Sequence, residues 1–311
     1  MADADLHSQE EPTSGLSHPF GWSTPQLLLA LLVVTAGVAM IVVGSTSTAA
    51  FSPYNSGWDG TGDLQELAAD NGEVEIPTST DRYESANPET TTAVVLAPQS
   101  SYDSTETGQL RSFVENGGTL VVADDSAPNG NQLLSAVGAT ARFDGAMLRD
   151  REHNFRQSSF PVASNVSEHQ TTQNVDQLTL NNGTVIEPRE ATPVVASSSF
   201  GYLDPTGTDE LDAETAFRSY PVVTVESVGD GTVIAVSDPS LFINAMLEQP
   251  DNEAFAANLV GSEQTLIDST HTAERPPLVA GISWLQETPL AATVFGVVVV
   301  GLVAVVGRRS T

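Results

Sequence analysis

Leu120–Leu134 reads LVVADDSAPNGNQLL: an apolar strand running into two aspartates, a polar loop and then residues spaced for a helix. Open parallel sheets bind ligands at the carboxyl ends of their strands, and the sharp strand-to-helix turn there is also where nucleophiles sit. Asp238 follows a second such strand, Thr232–Val236. Asp124, Asp125 and Asp238 are therefore candidate ligand-binding residues, since three converging oxygen donors suit a hard cation such as Mg²⁺ or Ca²⁺. The competing reading is structural: Asp125 and Asp238 cap the turns and helices that follow, while Asp124 is solvated. Asp before Ser or Pro commonly caps in this way, so no metal and no cofactor is assigned.

Nucleophilic chemistry finds little support. The chain has no cysteine, which removes thiolate nucleophiles, disulfides and cysteine-ligated zinc together. A serine substitute would join Ser126 to His153 or His169 and Asp238, but the Gly-x-Ser-x-Gly elbow that exposes such a serine is missing. His271 falls after the last helical segment of the domain and reads as a solvated linker residue. No P-loop, dinucleotide glycine pattern, metal-spaced histidine pair or heptad repeat is present.

Three further groups carry polar or charged potential. Asn55, Trp58 and Asp59, in SPYNSGWDG, suit a loop lining a ligand pocket and equally a juxtamembrane loop with Trp58 at headgroup level. Arg142, Arg149, Arg151 and Arg156 interleave with Asp144, Asp150 and Glu152 in RFDGAMLRDREHNFR. That pattern describes a salt-bridged insertion, or a guanidinium cluster, with Arg142, Arg149 and Arg151 foremost, that grips an anion or an acidic partner. Asn165 (NVS) and Asn182 (NGT) are glycosylation sequons.

The elements that position these residues follow from periodicity. Glu73–Ile76, Thr92–Leu96, Thr119–Ala123, Thr192–Ala196, Val222–Val225 and Thr232–Val236 are short, mostly β-branched runs bounded by Gly, Pro or Asp, and read as strands. Pro193 confines its run to an edge or a strand start. Gly62–Ala69, Thr105–Asn116 and Asn131–Val137 carry apolar residues three or four apart, and Ser104 or Thr105 is placed to cap the second of them. Alternation of strand and helix predicts an α/β domain with a mostly parallel sheet and right-handed crossovers. The stretch from Thr140 to Ser219 is less regular.

Two uncharged apolar runs, Leu27–Gly44 and Pro289–Gly307, are each long enough to cross a hydrocarbon core of about 30 Å. Arg308 and Arg309 flank the second and place the C-terminus inside by the positive-inside rule, so the domain between the runs faces outward. The expected organisation is an acidic cytoplasmic tail (1–25), transmembrane helix 1 (26–46), an extracellular α/β domain (47–262), a juxtamembrane linker (263–288), transmembrane helix 2 (289–307) and a cytoplasmic tail (308–311). A cleaved signal peptide is the alternative for the first run, but no basic region precedes it. Formal charge is −29, from 40 acids and 11 bases, none of them lysine. Molar salt, where the Debye length is about 3 Å, relieves the self-repulsion of so acidic a domain, so the composition fits an extreme halophile and excludes nucleic acid as a partner.

FSPYNSGWDGTGDLQELA after the first run, GGTLVVADD, RFDGAMLRD and SDPSLFINAMLEQPDNEAFAANLV together resemble a haloarchaeal membrane-protein family, domain of unknown function 4350, over about Phe51–Gly261. That family in turn resembles class I glutamine amidotransferase-like domains of flavodoxin type, including non-catalytic ones. The resemblance implies a pseudoenzyme in which the elbow of an amidotransferase has lost its cysteine. It also implies an accessory role in a membrane complex, tied to transport or assembly, with the lipid bilayer and protein subunits of that complex as partners. The alternatives are a hydrolase or metal-dependent enzyme built on the aspartate rim, and a structural, glycosylated surface component.

Overall fold

The computed structural model describes residues 24–126, 128–211, 215–272, 276–288 and 293. The chain divides into two units, Met1–Gly44 and Ser45–Thr311. Helix α1 (Thr24–Ser45) lies essentially within the first. Its 22 residues include no charged side chain. At about 1.5 Å per residue it is about 33 Å long, which matches a hydrocarbon core. Membrane anchors and signal sequences share this character. The second expected span, Pro289–Gly307, lies outside the described residues apart from Thr293, as do residues 1–23 of the acidic tail expected over 1–25, whose last two residues belong to α1.

In the second unit the elements run α2 (Gly62–Ala69), β1 (Glu73–Glu75), α3 (Arg82–Ser85), β2 (Thr91–Leu96), α4 (Ser104–Glu115), β3 (Thr119–Ala123), α5 (Pro128–Val137), β4 (Arg142–Phe143), β5 (Met147–Arg149), β6 (Val162–Ala163) and β7 (Asn165–Val166). They continue with β8 (Leu178–Thr179), β9 (Ile186–Glu187), β10 (Thr192–Ala196), β11 (Tyr202–Asp204), β12 (Pro221–Val228), β13 (Gly231–Val236), α6 (Asn244–Leu247), α7 (Asn252–Val260), β14 (Gln264–Asp268) and α8 (Pro277–Glu287). The central sheet has eight strands in the order β1-β14-β2-β3-β13-β12-β10-β7. From β1 to β13 every pairing is parallel, and from β13 to β7 every pairing is antiparallel. The fold is thus mixed α/β with a mostly parallel centre.

Period-two alternation assigns the faces. Ala93, Val95, Leu120, Val122, Val233 and Ala235 pack with Tyr83 of α3, Leu110, Phe113 and Val114 of α4, and Leu133, Leu134 and Val137 of α5. Their neighbours Val94, Leu96, Val121, Ala123, Ile234 and Val236 pack with Leu64 of α2, Leu247 of α6 and Phe255, Leu259 and Val260 of α7. Helices cover both faces, which is why these strands are apolar throughout instead of alternating with polar residues.

Two features depart from expectation, the cap of α4 and the end of the domain. The cap of α4 is Asp103, whose Oδ1 accepts from the N–H groups of Thr105 (2.7 Å) and Glu106 (3.0 Å) while Glu106 Oε2 accepts from Asp103 N–H (2.7 Å), a closed capping box. Gln264–Asp268, inside the stretch expected to be linker, is a buried parallel strand between β1 and β2, so the domain runs past residue 262. With Leu266 and Ile267 its only strongly apolar residues, its pattern falls below a readable strand signal. The irregular stretch forms small two-stranded ladders, β4 with β9, β5 with β11 and β6 with β8. Pro193 is the second residue of β10, ahead of the Val195–Ala196 segment that β7 pairs with, and so sits at a strand start.

The join between α4 and β13 leaves no room for a side chain. Asp230 N–H donates to Glu115 O (3.1 Å) and Thr232 N–H to Gly118 O (3.1 Å). A Cβ on Gly231 between them would stand 2.1 Å from Val114 O and 2.4 Å from Gly118 O. Gly231→Ala forces backbone apart and is expected to cost about 1–3 kcal/mol, read as a melting temperature lower by roughly 3–10 °C at fixed salt. An unchanged melting temperature would contradict this packing.

Candidate functional site

The carboxyl edge of the parallel strands brings the three predicted aspartates together, with two of them buried as structural ligands to the backbone. Asp124 follows β3, is fully buried, and is not the solvated residue expected from the sequence. Its Oδ1 accepts from Ser126 N–H (3.0 Å) and Ser126 Oγ (2.9 Å), and its Oδ2 accepts from Gly130 N–H (2.9 Å) in the first turn of α5. A Cβ on Gly130 would lie 2.5 Å from that Oδ2, so glycine is what lets the carboxylate reach the helix. Asp124 therefore satisfies orphan donors at a helix start.

Asp238 does the corresponding work one strand over. It is fully buried and caps the 3₁₀ turn Pro239–Phe242 through Ser240 N–H (2.7 Å). Its other oxygen accepts from Asn181 N–H (2.5 Å), across 57 residues of sequence, and so pins the 140–219 stretch to the sheet edge. Burial pushes its carboxyl up to about 7, and the charge of Asp125 adds to the rise, against the pull of the two backbone donors. Asp125, partly exposed, is also shifted upward, first by burial and then by the Asp124 charge. Beside them, the buried Ser237 Oγ has no hydrogen-bond partner among the described residues. Among the described residues no three His, Cys, Asp or Glu side chains stand together as a metal-binding set.

Asn55 and Asp59 serve their own loop. Asn55 Nδ2 donates to Asp59 Oδ1 (2.9 Å) and Ala49 O (3.0 Å), and its Oδ1 accepts from Gly57 N–H (2.8 Å). Asn244 of α6 docks this loop through Gly57 O (2.7 Å), leaving Trp58 70% exposed. The arginines separate. Arg142 donates to the carbonyls of Ala139 (2.8 Å) and Ala141 (2.7 Å), Arg149 makes a buried pair with Asp204 (3.2 Å), and Arg151 binds Asp209 and Tyr202. Arg156 lies 4.6 Å over the Phe155 ring. Asn165 and Asn182 are both exposed.

The serine arrangement considered from sequence does not assemble. The Ser126 hydroxyl donates to Asp124, His153 stacks on Phe200, and His169 bonds Thr171. His271, expected to be solvated, is instead 13% exposed. Its Nδ1 is 2.7 Å from Ser100 Oγ, its Nε2 is 2.9 Å from Glu106 Oε2, and Tyr102 lies against its ring at 4.1 Å between centroids. The sequence signal that would have found it is β14: once Gln264–Asp268 is a central strand, His271 must emerge at the same edge as the loop after β2.

This is an α/β domain whose sheet edge is closed by buried carboxylates. The sequence pattern of the family described as "Domain of unknown function (DUF4350)" matches residues 53–260, and the chain belongs to that family. No protein among those with curated functions matches it in sequence. Among solved structures, it is similar to the mmIFT52 N-terminal domain at 12% identity and a TM-score of 0.47, covering 63% of this chain and 86% of that one. It is also similar to a β-galactosidase from the Antarctic haloarchaeon Halorubrum lacusprofundi, at 17% identity and a TM-score of 0.33, over 59% of this chain. A third, the β-galactosidase from Bacillus circulans sp. alkalophilus, shares 12% identity at a TM-score of 0.34 over 54% of this chain. The chain spans 23% and 22% of those two enzymes.

The raised Asp238 carboxyl makes stability depend on pH. Its folded value of about 7 exceeds its ordinary value of 3.8, so the folded state holds the proton more tightly. Its stabilisation is complete below about pH 4 and is lost as pH rises through about 7. At fixed salt, stability is expected to fall by on the order of 2 kcal/mol from about pH 5 to about pH 8, and Asp238→Asn to flatten most of that slope. Asp125 and Asp268, shifted upward as well, leave a residue of it. An undiminished slope in Asp238→Asn would assign the effect elsewhere.

Proposed function

We propose that this chain is a membrane-anchored, extracytoplasmic accessory protein that binds a ligand or a protein partner and does no amidotransferase chemistry. The observation that carries the reading is the elbow after β3. Where an amidotransferase-like domain keeps its cysteine on a strand-to-helix turn, this chain has Asp124, with both oxygens engaged by Ser126 and Gly130. A carboxylate so committed holds the turn at the position where a thiol would stand. On this reading the domain is of flavodoxin type, an amidotransferase-like scaffold kept for its shape.

The apolar α1 supports the membrane attachment, and the run Pro289–Gly307 with Arg308 and Arg309 supports a second span with both termini inside. The charge of −29 without lysine supports a haloarchaeal, high-salt setting. The partners proposed are the bilayer and the subunits of an envelope complex concerned with transport or assembly. A glycosylated surface role has one observation in its favour, the exposure of Asn165 and Asn182 at their sequons.

Crosslinking in intact membranes at native salt tests the proposal. A reproducible membrane-protein partner, crosslinked through residues placed at Trp58 or Asp125, is the expected result. Recovery of the protein only as an uncrosslinked species, or protease access to the α/β domain only from the cytoplasmic side, would overturn it.

A further inference from the structure

A second set of polar side chains stands at the same edge of the sheet, in the loop between β2 and α4, in the first turn of α4 and just after β14. Ser100 is exposed, while the His271 and Glu106 side chains are only 13% and 23% exposed. Ser100 Oγ lies 2.7 Å from His271 Nδ1, and His271 Nε2 lies 2.9 Å from Glu106 Oε2. A carboxylate only accepts hydrogen bonds, so in the neutral ring Nε2 carries the hydrogen and Nδ1 offers its lone pair to the Ser100 hydroxyl proton. The ring is used in the opposite sense to that of the serine proteases, with the acid on Nε2 and the serine on Nδ1.

The members are held by the fold. Glu106 Oε2 also accepts from Asp103 N–H (2.7 Å), so the capping box of α4 fixes the acid. His271 O accepts from Gln99 N–H (2.9 Å), and Tyr102 packs against the ring. The N–H groups of Ser101 and Tyr102, on the residues after the serine, donate to no acceptor among the described residues. A nucleophile in hydrogen-bond contact with a base that a third group orients is the core of an acyl-transfer site, and backbone N–H groups on the two residues that follow the serine are the kind of donor that completes one.

We propose that Ser100, His271 and Glu106 form an acyl-transfer site, separate from the aspartate elbow, that hydrolyses small ester groups presented from solvent. His271 Nδ1 takes the Ser100 proton as Oγ bonds to the ester carbonyl carbon, and the Ser101 and Tyr102 N–H groups receive the developing oxyanion. The carbon–oxygen bond to the alcohol breaks, and the proton on Nδ1 passes to the leaving alkoxide. Water then gives a proton to Nδ1 and attacks the acyl-serine. The Oγ–carbon bond breaks, a carboxylic acid leaves, and the proton returns to Ser100. The exposure of Ser100 matches short acyl groups, such as acetyl esters on a larger carrier.

The test uses the full-length protein in detergent at molar salt, a fluorophosphonate probe and p-nitrophenyl acetate. Phosphonylation at Ser100, located by peptide mass spectrometry, is expected, together with ester hydrolysis that Ser100→Ala abolishes. His271→Gln is expected to slow both by about a hundredfold. Glu106→Gln preserves a capping box, since Gln also serves at that position, and is expected to slow hydrolysis about tenfold and shift its pH profile. Folded wild-type protein that is unlabelled at Ser100, or labelled equally fast in folded His271→Gln, would overturn the proposal and leave the three residues as a structural clasp.

Discussion

Asp124 and Asp238 end two adjacent parallel strands, β3 and β13, and both carboxyl groups are removed from water. Burying a carboxylate costs several kcal/mol unless hydrogen bonds replace its hydration. Each is therefore obliged to take backbone donors: Ser126 and Gly130 for one, Ser240 and Asn181 for the other. Those four donors fix the start of α5, the turn that leads to α6 and the anchor of the 140–219 stretch. Much of the architecture outside the sheet is set from these two side chains.

The same constraint makes the aspartate edge a structural joint. A cation or a ligand at the three aspartates would have to compete with hydrogen bonds that already engage both oxygens of Asp124 and both of Asp238. Asp125, partly exposed, is the member still facing outward. The chemistry proposed for this edge sits one loop away, at the residues gathered by β2, α4 and β14.

Sequence periodicity located the buried strands well, because runs such as Thr119–Ala123 and Thr232–Val236 are mostly apolar on both faces and sharply bounded. It missed β14, where a five-residue run with few apolar side chains takes its stability from neighbours on both sides. That omission also misplaced His271. The sequence identified Asp124, Asp125 and Asp238 as an edge cluster, but not that Asp124 was buried, since burial depended on Gly130 admitting a carboxylate at contact distance. The arginine-rich segment was legible as a salt-bridged insertion, yet its partners Asp204 and Asp209 lie more than fifty residues on, beyond any local pattern.

The Asp238 carboxyl group ties a distant segment to the sheet edge as a structural clamp. Hydrogen exchange of Asp238→Ala against wild type, at equal salt and pH, measures it directly. The amide of Asn181 and its neighbours from Leu178 to Thr184 are expected to lose protection by at least about tenfold, while β2 and β3 keep theirs. Unchanged protection of Asn181 would contradict it.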